Sequence, residues 1–217
     1  IMVEVDDPNK EATVCTLRVR GYASNGKNIV ETKIKEITMT QALSSGKEAQ
    51  AVNLKVEISG TNLVITVTPL SGEITPYQCT VDITKDKDGN TTVFNSESLQ
   101  GKVGLVARET ATNLDNFSIA CTERAYDFSD AAQLTDDFNG PWKRNGKTAT
   151  EGEGTDFAVE DGYLYGAAST KSDVRRVVLK KKYDVKTASV NVIPVDDVYC
   201  GGIMLGITGE KSGGSTA

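Results

Sequence analysis

Residues that could do chemistry are few in this chain, and histidine is absent altogether. Its absence removes the commonest general base, the commonest zinc ligand and the middle member of a Ser-His-Asp triad. Any catalysis must therefore run on carboxylates, Lys, Tyr or Cys. The cysteines Cys15, Cys79, Cys121 and Cys200 are widely scattered with no C-x-x-C pair, and they read first as buried hydrophobic thiols and second as candidate disulfides. Asp86-x-Asp88-Gly89-Asn90 puts oxygen donors at alternate positions, as a calcium loop does, with Glu97 where the closing ligand would stand. The strand-like Thr91–Phe94 in between favours a hairpin turn. Gly21-Tyr-Ala-Ser-Asn-Gly-Lys-Asn28 has the spacing of a phosphate cradle, but Asn28 replaces the Mg²⁺-binding hydroxyl and a strand rather than a helix follows. A β-turn between two strands is the better account.

Sugar recognition needs exposed aromatic rings for the C–H faces and amides or carboxylates for the hydroxyls. Trp142, beside Pro141 and Asn145, is the most attractive candidate, with Tyr163 and Tyr165 next. Arg175-Arg176 and Lys180-Lys-Lys182 form a basic run that reads as a solvated strand edge rather than an anion site.

These residues sit on a framework that is β from end to end. Ala12–Arg20 alternates, with Val14, Thr16, Arg18 and Arg20 on one face and Cys15, Leu17 and Val19 on the other. Val52–Ile58 gathers Val52, Leu54, Val56 and Ile58, turns at Ser59–Asn62 and returns as Leu63–Thr68. Strand-like runs also cover 79–84, 101–107, 113–119, 175–180, 188–193 and 201–207, and a hairpin turns at Asp161-Gly162. The segment 123–134 is a polar connection with room for one short helical turn. Almost no helical period appears, so an all-β sandwich or barrel is expected.

At 217 residues, with 38% hydrophobic and 25% charged residues, the chain can bury a real core without staples. Lys+Arg 24 against Asp+Glu 30 leaves a net charge of −6, which gives no electrostatic footprint for nucleic acid, and no apolar run approaches the ~18 residues of a membrane span. Opening at Ile1 rather than Met, the chain reads as a piece of something longer.

Gly101-Lys-Val-Gly-Leu-Val-Ala-Arg-Glu-Thr-Ala-Thr-Asn-Leu-Asp-Asn-Phe-Ser-Ile119 resembles the closing strand pair of concanavalin A-like lectin/glucanase sandwiches, the laminin-G-like modules of secreted bacterial proteins. Leu114 stands at the usual aromatic position, and Leu54–Leu63 resembles the hairpin before that ending. Asp136-Asp-Phe-Asn-Gly-Pro-Trp142 with Phe157-Ala-Val-Glu-Asp-Gly-Tyr-Leu-Tyr165 resembles the opening of the same fold, and Gly201-Gly-Ile-Met-Leu205 its mid-domain strand. The ending thus precedes the beginning. Residues 1–122 read as a C-terminal-like half, 123–135 as a connection and 136–217 as an N-terminal-like half. A tandem array cut across two units, one permuted sandwich and chains exchanging halves all fit this order.

The resemblance implies an antiparallel jelly-roll sandwich, a non-catalytic carbohydrate-binding role and an extracellular or cell-surface setting, with glycans or further copies of the fold as partners. It also implies that Trp142 packs under the first strand, as an alternative to facing sugar. Asp115, Asp136 and Asp137 become candidates for a structural Ca²⁺. Glucanases of this fold carry E-x-D-x-x-E on one strand, which Glu4-Val-Asp6 begins, but Asn9 stands at the third position after Pro8. A structural or adhesive repeat without sugar binding is the second expectation, and a glycoside hydrolase the third.

Overall fold

The structure, a computed structural model, describes residues 1–7, 14–26, 28–40, 50–71, 75–108, 112–120, 124–139, 143–144, 147–148, 157–166, 174–195 and 199–208. Its strands are β1 (Met2–Asp7), β2 (Val14–Ser24), β3 (Ile29–Thr40), β4 (Val52–Ser59), β5 (Asn62–Pro69), β6 (Tyr77–Asp82), β7 (Lys102–Arg108), β8 (Thr112–Ile119) and β9 (Arg124–Tyr126). After helix α1 (Ala131–Asp137) come β10 (Phe138–Asn139), β11 (Lys143–Arg144), β12 (Lys147–Thr148), β13 (Phe157–Glu160), β14 (Tyr163–Gly166), β15 (Val174–Leu179), β16 (Thr187–Pro194) and β17 (Tyr199–Ile207).

They form an antiparallel sandwich of two sheets, compatible with a jelly roll. The seven-stranded sheet runs β10-β15-β7-β17-β1-β2-β3; the eight-stranded sheet runs β13-β14-β8-β16-β4-β5-β6, with β9 also paired to β8. Segments from the two ends of the chain alternate within each sheet. β17 lies between β1 and β7, and β16 lies between β4 and β8.

Strand alternation builds the core. Val3 and Val5 of β1, Cys15, Leu17 and Val19 of β2, and Leu105 and Ala107 of β7 point inward from one sheet; Val52, Leu54, Val56, Leu63, Ile65 and Val67 meet them from the other. Each Val, Leu or Ile among them contributes roughly 1.5–3 kcal/mol by leaving water. The β13–β14 hairpin turns on Asp161 (φ 51) and Gly162 (φ 78), the left-handed pair of a two-residue loop that Asp-Gly suits.

The connection after β8 is held by aromatic packing: Tyr126 lies 5.9 Å from Phe117 and 5.0 Å from Phe138, ring centre to ring centre, with Phe128 against both Tyr126 and Phe138. The expected helical turn is α1, capped by the Asp130 side chain, which accepts from the Ala132 N–H at 2.8 Å.

One expected strand does not form. Thr91–Phe94 makes only the single bridge Thr91–Lys85. Thr92 Oγ1 instead donates to the Ile83 carbonyl and accepts the Phe94 N–H, which turns Phe94 inward over Gly21, where even a Cβ would collide with its ring.

Candidate functional site

Each sheet presents a second face away from the core, and the two faces differ in chemistry. On the seven-stranded sheet the inward positions of Val3 and Val5 force Met2, Glu4 and Asp6 outward, and the register sets Glu4 opposite Arg18 and Met2 opposite Arg20. Glu4 is fully buried; its Oε1 accepts from Arg20 Nε at 3.2 Å and from Arg108 Nη1 at 3.0 Å, while Cys200 Sγ lies 3.7 Å from Oε2. Asp6 is paired with Arg18, and Arg20 also with Glu31, whose second oxygen accepts from the Tyr22 hydroxyl at 2.9 Å.

The electrostatics follow from this packing. Burial and the Glu31 carboxylate push the Tyr22 hydroxyl well above the ordinary phenol range. Burial opposes the charge of Arg18, but the neighbouring Asp6 and Glu4 outweigh it and hold the guanidinium protonated. Beside the network Met2, Val106, Val178, Met204 and Ile207 form a separate buried apolar cluster. Glu4 and Asp6 do share a face, as their spacing implies, but each is engaged by guanidinium groups.

The outer face of the eight-stranded sheet carries amides, hydroxyls and aromatic rings around an exposed ion pair, Lys55–Glu57 at 3.1 Å. Leu164 enters the core, so Tyr163 and Tyr165 on either side of it stand on the outer face, both half-buried. Tyr165 pairs across the strands with Asn113, and the next row sets Asp115, Asn191 and Asn53 side by side. Asn53 Nδ2 donates to Asn191 Oδ1 at 2.9 Å, Ser118 and Ser189 hydroxyls meet at 2.8 Å, and Gln78 Nε2 donates to Thr66 Oγ1 at 3.2 Å.

Trp142 and Asn145 lie outside the described residues. Asp115, Asp136 and Asp137, expected as a calcium set, lie on β8 and at the end of α1. Asp115 accepts from the backbone and side chain of Asn116, Asp137 accepts from the Tyr126 hydroxyl at 3.2 Å, and Asp136 is exposed. Among the described residues no three or more His, Cys, Asp or Glu side chains converge as a group that could hold a metal ion.

Partial burial raises the Asp115 carboxyl, the Asn116 N–H opposing and the nearby Asp127 adding to the rise, whereas hydrogen bonds from Gln133 and Ser129 pull Asp127 down to about 2. The Asp86 loop is a turn: Asp86 Oδ1 accepts the N–H groups of Asp88 and Asn90 at 2.9 and 2.8 Å. The Gly21 segment ends β2, and Asn25 Oδ1 accepts the Asn28 N–H at 2.8 Å in the turn to β3. Cys15 and Cys200 are buried and Cys79 half-buried; Cys121 is outside the described residues.

The ionic network is what sequence reasoning missed. A signal was present, since charges alternate on Glu4-x-Asp6 and on Arg18-x-Arg20, the pattern of two paired strands with one charged face. Arg108 carries no comparable signal, being 104 residues from the carboxylate it joins. Compared with known proteins, the chain matches no protein-family model and no curated protein.

Proposed function

We propose that this chain is a non-catalytic carbohydrate-binding sandwich of the concanavalin A-like, laminin-G-like type, working as a module of a larger extracellular or cell-surface protein. The observation that carries the reading is the outer face of the eight-stranded sheet. There Tyr163 and Tyr165 flank Leu164, Tyr165 stands opposite Asn113, and the row Asp115–Asn191–Asn53 lies beside them. Aromatic faces accept the C–H side of a pyranose, and amide and carboxylate side chains take its hydroxyls. The engagement of Glu4 and Asp6 by Arg18, Arg20 and Arg108 supports a role without catalysis, because a retaining glycosidase needs one carboxyl to give a proton and the other to attack.

Affinity electrophoresis through gels containing neutral polysaccharides tests the reading. Retardation of the parent chain, reduced about tenfold in apparent affinity by Tyr163→Ala with Tyr165→Ala, is expected. Migration unaffected by any polysaccharide overturns it in favour of a structural or adhesive repeat. Release of reducing sugar that disappears in Glu4→Gln would instead make the protein a glycoside hydrolase.

A further inference from the structure

A cleft of about 680 Å³ opens at one end of the sandwich, lined among others by Ile58, Ser96, Leu99, Tyr183, Lys182 and Lys186. Its size lies within the roughly 300–1,000 Å³ of small-ligand sites. Three separate segments make the walls and each is fixed. The Ile58 N–H donates to the Lys186 carbonyl at 2.8 Å, Tyr183 bridges to Gly101, and the single turn Ser96–Leu99 is capped by Asn95 and seated on Gly206, where a Cβ would meet the Ser98 carbonyl at 1.8 Å. Buried Leu99 and Val185 give the cleft an apolar floor, and half-buried Tyr183 gives it a ring.

Charge distinguishes this cleft from the rest of an acidic chain. Lys182 and Lys186 line it, Lys181 is exposed beside it, and Lys180 is tied back by donating to the Thr135 carbonyl at 2.9 Å. Against them stand Asp184, which pairs with Lys186 at 3.1 Å, and Glu97 next to Ser96. Lys181, Lys182 and Lys186 against Asp184 and Glu97 leave one ammonium group in excess, and a concave wall concentrates the field of its charges, so the cleft attracts anions even where the net charge is −6.

We propose that the cleft binds an acidic oligosaccharide, with a uronate carboxylate between Lys182 and Lys186 and a sugar ring against Tyr183. The saccharide half of this assignment rests on the carbohydrate reading above; the anion half does not.

Titration calorimetry with tetragalacturonate, its methyl ester and tricarballylate separates charge from ring. Tetragalacturonate is expected to bind, and both the uncharged ester and the ringless tricarballylate to bind at least about tenfold more weakly, the loss of a charge-assisted contact being of that order. Lys182→Gln with Lys186→Gln should weaken tetragalacturonate about tenfold, whereas Asp184→Asn, which frees Lys186, should strengthen it about two- to fivefold. A merely structural role for these exposed side chains would not produce opposite signs. Circular dichroism of each variant checks the fold.

No tetragalacturonate binding, binding indifferent to the lysine pair, or tricarballylate binding as tightly overturns the proposal. Loss of tetragalacturonate binding in Tyr163→Ala/Tyr165→Ala with retention in the lysine variant also overturns it. Neutral-polysaccharide retardation that persists in that case leaves the carbohydrate reading standing by itself.

Discussion

On the outer face of the seven-stranded sheet, Glu4 and Asp6 are 0% and 1% exposed and are engaged by guanidinium groups and a thiol; on the outer face of the eight-stranded sheet, amides and hydroxyls pair around an exposed ion pair, Lys55–Glu57, and the side chains remain at least partly exposed. The first arrangement is costly to alter and engages its own groups. Taking carboxylates and guanidinium groups out of water is offset only when each charge meets its opposite with good geometry. The second holds its polar atoms loosely, at a net stabilisation of only about 0.5–1.5 kcal/mol per hydrogen bond, and such atoms can exchange a neighbour for a ligand hydroxyl at little cost. A surface that recognises sugars needs the second kind of chemistry, which is why the proposed binding face is the less conspicuous of the two.

The largest expected effect breaks the first face. Glu4→Ala removes the fully buried carboxylate that Arg20 and Arg108 share and should destabilise the fold by about 3–5 kcal/mol, read from the midpoint of urea unfolding. Replacement on the second face should cost far less. Asn191→Ala deletes one part-buried amide contact with Asn53, and about 1 kcal/mol is expected in the same assay. Equal losses at the two positions would show that the faces do not differ in the way their burial implies.

How far the fold was legible follows the same division. Period-two alternation made the inward sets of β2, β4 and β5 readable, because a buried face on one side of a strand leaves that signature. Asp161-Gly162 announced its hairpin, since few residue pairs tolerate two left-handed positions in succession. Thr91–Phe94 misled for a local reason: the Thr92 hydroxyl captures the Ile83 carbonyl, and side-chain competition for the backbone leaves no mark on hydrophobic spacing. The tyrosines of the proposed binding face were legible as candidates, but their neighbours were not. Asn113, Asn191 and Asn53 come from three strands widely separated in sequence, and only the register brings them together.

The smallest effects are in titration, and they sharpen the contrast within the second face itself. Asp115 and Asp127 are close enough to interact, yet their carboxyls move in opposite directions: partial burial and mutual repulsion raise Asp115, while donors from Gln133 and Ser129 hold Asp127 down at about 2. The signs for stability differ accordingly. A depressed carboxyl contributes stability above its unfolded value, near ~3.9, and loses it as the pH falls through the folded value; a raised one opposes folding while ionised and is relieved as the pH falls through its higher value.

Carboxyl-carbon NMR across the acid range should therefore see Asp115 take its proton before Asp127 as the pH falls. Ser129→Ala with Gln133→Ala should bring Asp127 back towards the ordinary range, and Asp127→Asn should lower Asp115 by removing the charge that adds to its rise. If both residues titrated together and neither change moved them, the donors at Asp127 and the burial at Asp115 would not be acting on the charges. Asp115 would then offer a sugar hydroxyl the same acceptor as any solvated aspartate, and the selectivity of that face would have to come from the tyrosines and amides.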